Sequence, residues 1–213
     1  FILGQRIELI AGIPYMQFVF PGILMMNILT SAFMHSSNSL YFVRFTHTIN
    51  ELLTAPFSYL EMIVGFVVGG VIRGLIVGIG VLVIGLLFGA VQIVHPILFL
   101  LFAIGIAVIF ALLGLLVGLW AKGFEQLNIL NTFVIMPLSF LGGMFYSIEL
   151  LPEAVKTITL YNPFFYFVDA MRFATIGYSE SNLTLGSVLI FSLVIFLGVL
   201  VTYLFRVGWR LRD

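Results

Sequence analysis

The chain has 213 residues, of which 62% are apolar and only 8% are charged, whereas about a quarter of the residues in an ordinary soluble domain are charged. Its nine basic and nine acidic residues cancel, which excludes the basic surface of a nucleic-acid-binding protein and the charge excess of a disordered chain. It contains no cysteine, so a disulfide framework, a thiolate zinc site and a cysteine nucleophile are excluded too. The composition is typical of an integral membrane protein.

The charges are separated by long apolar stretches, at residues 9–43, 74–121, 126–148 and 181–205. A membrane-spanning helix needs about 20 apolar residues, so each stretch holds at least one span. The stretch 74–121 is too long for one helix, and His95-Pro96 interrupts it. None shows the alternation of a β-barrel strand. The sequence therefore predicts an all-α polytopic membrane protein with a single transmembrane domain over 1–213. Its spans are expected at about 15–35, 63–91, 96–120, 127–146 and 183–205.

The two chain ends suggest how the chain is oriented in the membrane and whether its N-terminus is complete. The chain begins with Phe1 and a short apolar run, which is typical of the tail of an earlier span, so we expect a truncated N-terminus and six spans in the full protein. Arg206, Arg210 and Arg212 crowd the C-terminus, and basic residues beside spans favour the cytoplasmic side. This orientation makes residues 36–62 a cytoplasmic loop and residues 147–182 an outer segment.

The cytoplasmic loop contains a candidate amphipathic helix. Thr48 and Glu51 have the spacing of a capping box, and Pro56 is expected to end the helix. Its apolar face would consist of Ile49, Leu52 and Leu53. Such a helix either lies in the lipid headgroups or docks a soluble partner.

The outer segment is too apolar for a free external loop. Lipid cannot satisfy an open backbone, so we expect this segment to form short re-entrant or interfacial helices. Asp169 and Arg172 are three residues apart and can pair on one helix face. The simplest role of such a pair is to hold the helix at the interface.

Arg73 is the one clear charge inside a predicted span. An ionisable residue in that position is a functional candidate, although a long side chain near a helix end can simply reach the interface, which is the simpler expectation here. His35, His47 and His95 are far apart and on both sides of the predicted membrane, so no shared metal site and no cofactor are predicted.

Glycines four residues apart recur in the predicted spans, as in Gly70/Gly74/Gly78 and Gly114/Gly118. Glycine lets two helix backbones approach closely in lipid. We expect these glycines to pack helices within one chain, with a contact between two copies as the alternative.

Four motifs in a fixed order carry a family resemblance over essentially the whole chain. They are Tyr15-Met-Gln-Phe-x-x-Pro21-Gly22, Glu51-Leu-Leu-x-x-Pro56, Pro137-Leu-Ser-Phe-Leu-Gly-Gly-x-Phe145-Tyr146 followed by Leu151-Pro152, and Asn162-Pro163-x-x-Tyr166-x-x-Asp169-x-x-Arg172. Together they resemble the membrane subunit of type-2 ABC exporters, the drug and polysaccharide exporter permeases of bacterial inner membranes.

The resemblance implies a six-helix permease in contact with membrane lipid, which forms a homodimer and binds two copies of a cytoplasmic ABC ATPase. It implies that the cytoplasmic helix couples to this ATPase, through Arg44, Thr48, Ile49, Glu51, Leu52, Leu53 and Pro56. It also implies that the outer segment is a pair of re-entrant helices that gates the exit. The gate residues would be Asn162, Pro163, Tyr166, Asp169 and Arg172.

The sequence contains no ATP-binding motif of its own. A P-loop requires Gly-Lys-Ser/Thr at its end, and neither Lys122 nor Lys156 has this context. We therefore expect a non-catalytic transport subunit whose partner hydrolyses ATP. The alternative is a secondary transporter driven by an ion gradient, which typically has inverted repeats and carboxylates near the membrane midplane; the sequence shows neither. Drug-like, lipid and glycan substrates all remain compatible with the sequence.

Overall fold

The computed structural model describes residues 9–10 and 12–211. The expected tail of an earlier span at the N-terminus and the terminal Arg212 lie outside the described residues. The described part opens with a short antiparallel pair, β1 (Leu9–Ile10) and β2 (Ile13–Pro14).

Five helical segments of the described chain are long and apolar enough to cross a membrane, as predicted, and the all-α polytopic fold is confirmed. They are α1 (Tyr15–Phe45), α3 (Tyr59–Leu87), α4 (Pro96–Trp120), the fourth span (Phe124–Met144) and α9 (Leu183–Val207). Outside them lie three shorter α-helices, namely α2 (Ile49–Thr54), α7 (Glu153–Tyr161) and α8 (Pro163–Ile176), and a 3-10 helix at Ile148–Leu150. We refer to the two ends of the bundle as the α2 end and the α8 end.

α1 is ten residues longer than predicted. Its polar C-terminal part stays helical because the side chains of Ser37 and Asn38 donate hydrogen bonds to the Met34 carbonyl, at 3.3 and 2.6 Å. Leu40 and Tyr41 in the same part are buried in the core. The connection between the first two spans is correspondingly shorter than the predicted loop 36–62.

α3 begins earlier than predicted because of a capping box. The Ser58 hydroxyl accepts a hydrogen bond from the Glu61 amide at 3.2 Å, and the Glu61 carboxylate accepts one from the Ser58 amide at 2.7 Å. The predicted capping box at Thr48 and Glu51 is wrong, since the Thr48 side chain caps no backbone amide. Both pairs fit the same sequence pattern, and only the true helix start shows which one forms.

Glycines allow the central helices α1, α3 and α4 to pack closely. A Cβ atom at Gly114 of α4 would lie 2.5 Å from the Phe33 carbonyl oxygen of α1, and one at Gly74 of α3 would lie 2.9 Å from the Ile28 carbonyl oxygen. Gly70, Gly74, Gly78, Gly114 and Gly118 are all buried against α1. These glycines therefore serve packing within the chain.

The fourth span is segmented. It consists of α5 (Phe124–Leu130), a π-helical turn at Asn131–Ile135, α6 (Met136–Ser139) and a second π-helical turn at Phe140–Met144. Pro137 lacks an amide hydrogen, which disturbs the regular hydrogen-bond ladder beside it. Gly143 has a φ of 76°, in the left-handed region that favours glycine, and it ends the span.

α8 extends deep into the bundle. Near its start, the Phe164 ring lies 5.5 Å from the ring of Phe110, centroid to centroid. Phe110 is fourteen residues from the beginning of α4, or about 21 Å along the axis. Near the end of α8, the Ala174 carbonyl accepts a hydrogen bond from the His95 amide at 2.9 Å, just before α4 begins. α8 thus runs from the middle of α4 to the α8 end.

Candidate functional site

The first cluster of predicted site residues lies at the α2 end. Ile49 is buried, and Leu52 and Leu53 are half-buried against the core. Thr48, Glu51 and Pro56 are exposed. α2 therefore packs its apolar face on the bundle and leaves its polar face open, and its bounds agree with the predicted short helix.

Arg44 is buried near the end of α1 instead of lying on the open face of α2. Its Nη1 atom donates to the carbonyl oxygens of Gly118 and Leu119, at 2.6 and 2.9 Å. Arg210 makes a similar contact, from its Nη1 to the Trp120 carbonyl at 2.8 Å. The last carbonyls of a helix lack partners within the helix, and cations there are stabilised by the helix dipole. The two arginines thus tie the ends of α1 and α9 to the end of α4.

The second cluster lies at the α8 end and begins with the cap of α8. The Asn162 carboxamide accepts a hydrogen bond from the Phe164 amide at 3.0 Å and donates one to the Leu138 carbonyl of the fourth span at 2.7 Å. Pro163 occupies the first helical turn, where no amide is needed. The Tyr166 hydroxyl donates to the Leu160 carbonyl at 3.1 Å. These three residues start α8 and join it to α6 and α7.

The Asp169 carboxylate is buried and binds the turn after α8. It accepts hydrogen bonds from the Ser179 hydroxyl and the Glu180 amide, both at 2.7 Å, and from the amide and hydroxyl of Ser181. Gly177, with a φ of 72°, lets the chain turn back toward α8. The carboxylate is therefore occupied by a loop that sequence spacing alone could not place.

Arg172 pairs with Glu180 instead of the predicted Asp169. Its Nη1 lies 3.2 Å from Glu180 Oε2, and both side chains are fully buried. Its Nη2 donates to the Gly143 carbonyl at 2.8 Å, and its guanidinium carbon lies 3.8 Å from the centre of the Phe18 ring. The predicted Asp169–Arg172 ion pair is thus wrong, because the returning loop brings Glu180 to the arginine. Sequence reasoning missed Glu180, whose only signal was a carboxylate shortly after Gly177.

Burial also perturbs the titration of this cluster. Desolvation lowers the pKa of Arg172, while the charges of Glu180 and Asp169 oppose this shift. Burial raises the pKa of Tyr178, and the Glu180 charge adds to this effect. An arginine remains protonated under physiological conditions even so, so the cluster acts as a charged clamp that holds α1, α8, the end of the fourth span and the loop after α8.

A polar groove between α1 and α3 forms a third candidate site, with a volume of about 700 Å³. Arg73 lies in it, fourteen residues from either end of α3, or about 21 Å along the axis. Arg73 therefore lies at the middle of α3, and its extension to the membrane interface stays a prediction. The groove lining comprises Thr30, Ser31, Met34, His35, Asn38, Ser39, Phe42, Arg73, Val77 and Phe124.

No group of three or more His, Asp or Glu side chains that could hold a metal ion occurs among the described residues. The three sites consist of helix contacts, buried charge and a groove.

Comparison with known proteins identifies the family. Residues 2–176 match the family described as "ABC-2 type transporter". The chain belongs to this family. It is therefore a multi-pass transport permease, the resemblance inferred from the four motifs is confirmed, and family membership implies association with an ABC ATPase.

Named relatives agree with this assignment. The chain is 38% identical over 198 residues to the inner membrane transport permease YadH of Escherichia coli strain K12. The aligned region covers 92% of this chain and 77% of the relative. The same protein of Shigella flexneri gives the same values. Nodulation protein J of Rhizobium leguminosarum bv. viciae is 24% identical over 202 residues, covering 92% of this chain and 76% of that one. No solved structure matches the ABC-2 chain significantly.

Proposed function

We propose that this chain is the permease subunit of an ATP-driven exporter in the bacterial inner membrane, where it moves a drug-like, lipid or glycan substrate outward. Two copies of the permease form a homodimer and bind two copies of a cytoplasmic ABC ATPase. Family membership and the relative named as an inner membrane transport permease support this proposal.

The distribution of basic residues supports a cytoplasmic α2 end. Lys122 and Arg206 are exposed there, beside the half-buried Arg210. At the opposite end, Arg172 is fully buried in its ion pair, and Lys156 is half-buried. Because basic residues beside spans are retained on the cytoplasmic side, the ATPase would meet the α2 end.

The observation that carries the coupling role is the placement of α2. Its polar side is open while Ile49 holds its other side in the core, so a partner that contacts Glu51 can push on the bundle. The Arg44 contacts link the end of α1 to the end of α4. A displacement of α2 would therefore move α1 and α4 together. In this proposal Arg44 transmits the movement, while the exposed residues of α2 receive it.

The proposed outer gate is the α7–α8 pair. A re-entrant arrangement is supported by the deep position of the start of α8 beside Phe110 and by the tie from Asn162 to the fourth span. The segmented fourth span ends at the left-handed Gly143, whose carbonyl binds Arg172. Opening the exit would require the charged clamp either to move as one body or to come apart.

Capture of the complex tests the assignment. Full-length permease purified from native membranes is expected to retain a P-loop ATPase in a 1:1 ratio, and transport in vesicles is expected to need ATP. Absence of any ATPase, together with transport that collapses when the proton gradient is removed, would support the ion-gradient alternative instead.

A charge reversal tests the coupling surface. Glu51→Arg is expected to reduce substrate-stimulated ATP hydrolysis without changing membrane insertion or dimer formation, because Glu51 is exposed on α2. Glu153→Arg is the matched control, since Glu153 is an exposed carboxylate in the first turn of α7 at the other end. Equal ATPase activity in both variants would show that α2 is only an interfacial helix.

A further inference from the structure

The groove between α1 and α3 contains a mid-span charge that pairs with no described residue. Among the described residues, Arg73 forms no salt bridge and donates no hydrogen bond. A guanidinium stays protonated in proteins, and placing an arginine at the centre of a membrane helix costs about 2.5–3.5 kcal/mol. Such a residue is expected to face a partner or a water-filled cavity, and here it faces the groove.

Three hydroxyl groups of the groove are also available to a ligand. The hydroxyls of Thr30, Ser31 and Ser39 donate no hydrogen bond to any described residue. Elsewhere in the helices, serine and threonine commonly bond to a carbonyl of the preceding turn, as the Thr202 hydroxyl does with Gly198 at 2.7 Å. The three hydroxyls are thus donors without a described partner, whereas the Asn38 carboxamide in the same lining already donates to the Met34 carbonyl at 2.6 Å.

His35 completes this lining through a close helix contact. A Cβ atom at Gly69 would lie 3.0 Å from His35 Nε2, so the absence of a side chain at Gly69 leaves room for the imidazole against α3. Arg73 lies one turn further along the same helix. The imidazole and the guanidinium thereby line one cavity together with the three hydroxyls.

The described spans of a second copy offer no negative charge at the depth of Arg73. Two copies inserted in the same orientation are related by an axis along the membrane normal, so equivalent residues lie at the same depth. Within the described spans, carboxylates occur only in first turns, at Glu61 of α3 and Glu125 of α5. Glu61 is twelve residues from Arg73, or about 18 Å along the axis.

We propose that this groove binds the phosphate-type headgroup of an anionic amphiphile, with Arg73 as the counter-charge. The planar guanidinium fork matches phosphate oxygens, and the three hydroxyls and the imidazole offer further contacts that suit the additional oxygens of a phosphate better than the two oxygens of a carboxylate. The exposed apolar residues Ile72 and Ile76 flank Arg73 on α3, so the acyl chain can remain outside the groove. The proposal rests on the transport role above, in which this amphiphile is the cargo.

A soluble lipid probe tests the proposal directly. Full-length permease in neutral maltoside micelles is titrated by calorimetry with dihexanoyl phosphatidate, and with dihexanoyl phosphatidylcholine as the net-neutral control. Tighter binding of phosphatidate is expected. Arg73→Gln should weaken this binding at least about tenfold, the range of a charge-assisted hydrogen bond. Lys122→Gln removes one exposed charge away from the groove and should leave the affinity unchanged.

A near-isosteric variant keeps the test decisive if Arg73→Gln fails to fold. Thr30→Val removes one hydroxyl that has no described partner, and we expect it to weaken phosphatidate binding by about two- to tenfold. Unchanged affinity in folded Thr30→Val and Arg73→Gln proteins would overturn the proposal. So would equal losses in Arg73→Gln and Lys122→Gln, or a loss of the dimer in Arg73→Gln.

Two further measurements separate the possible sources of failure. If inorganic phosphate displaces the lipid at equal concentration, the groove binds a free anion and the amphiphile is rejected as its ligand. Retention of the ATPase by Arg73→Gln permease with unaltered phosphatidate binding would reject the groove site alone and leave the proposed function intact. Arg73-dependent binding by a permease that retains no ATPase would instead reject the ATP-driven exporter.

Discussion

The close contact between α1 and α4 makes a quantitative prediction at Gly114. The Cβ atom of Gly114→Ala would lie 2.5 Å from the Phe33 carbonyl oxygen and 3.1 Å from the Ser37 amide nitrogen. An unstrained contact needs about 3.5 Å, so the two helix backbones must separate by roughly 1 Å. Neither atom belongs to a flexible side chain, and the strain cannot be relieved locally.

The expected cost follows from two opposing effects. Overpacking costs about 1–3 kcal/mol, and the better helix propensity of alanine offsets about 0.5–1 kcal/mol of this. A net loss of about 1–2 kcal/mol corresponds to a decrease in Tm of about 2–8 °C for a chain of this size. The decrease would be measured on full-length protein in detergent, from the loss of the monodisperse chromatographic peak after heating.

Two other glycines provide matched controls. A Cβ atom at Gly105 of α4 would contact only the Cγ2 atom of Ile190, at 2.8 Å, and one at Gly198 of α9 would meet nothing within 4 Å. Gly105→Ala should therefore cost less than Gly114→Ala, because its one close contact is with a side-chain methyl group and not with backbone atoms, and Gly198→Ala should leave the Tm unchanged or raise it slightly. The reasoning is refuted if Gly114→Ala is as stable as Gly198→Ala.

Three further substitutions test the clamps and the cap by the same thermal assay. Glu180→Gln leaves the guanidinium of Arg172 buried without its counter-charge and should cost about 3–5 kcal/mol; a cost below about 1 kcal/mol would show that the ion pair contributes little. Ser58→Ala removes the cap of α3 and should cost about 0.5–2 kcal/mol, whereas Thr48→Ala should have almost no effect; the reverse order would restore the cap predicted from sequence. Arg44→Gln removes the cation that binds the last carbonyls of α4 and should lower both the Tm and the substrate-stimulated ATPase activity of the complex, and unchanged values for both would contradict its linking role.

The spans could be predicted because each depends on a local property. Twenty apolar residues in a row are enough to require a membrane helix, and the start of α4 at Pro96 and its end at Trp120 agree with the predicted bounds. The polar C-terminal third of α1 was missed, since a search for apolar residues cannot recognise a helix whose side chains bond to their own preceding turn. The two candidate capping boxes were indistinguishable for a similar reason, because their sequence patterns are the same.

The site residues likewise divide into those that local sequence spacing predicts and those whose contacts exist only in the folded chain. The short α2 helix and its apolar face follow from the spacing of Ile49, Leu52 and Leu53, and the start of α8 at Pro163 agrees with the expected helical outer segment. The role of Arg44 did not follow, because its partners are more than seventy residues away in the chain. Glu180 was overlooked although it is only eight residues from Arg172, because only a left-handed turn brings it back to α8.

By itself, the sequence determined the membrane class and the number of spans in the described chain, since both depend on the cost of placing charges and open backbone in lipid. It also determined the family, through short motifs in a fixed order. Only the tertiary structure decided what each scarce charge does. Arg172 is matched by Glu180, Arg44 binds the end of α4, and Arg73 faces a groove without a described partner. Charge pairing acts over a few ångströms, and distances of that size between remote parts of the chain exist only once the helices have packed.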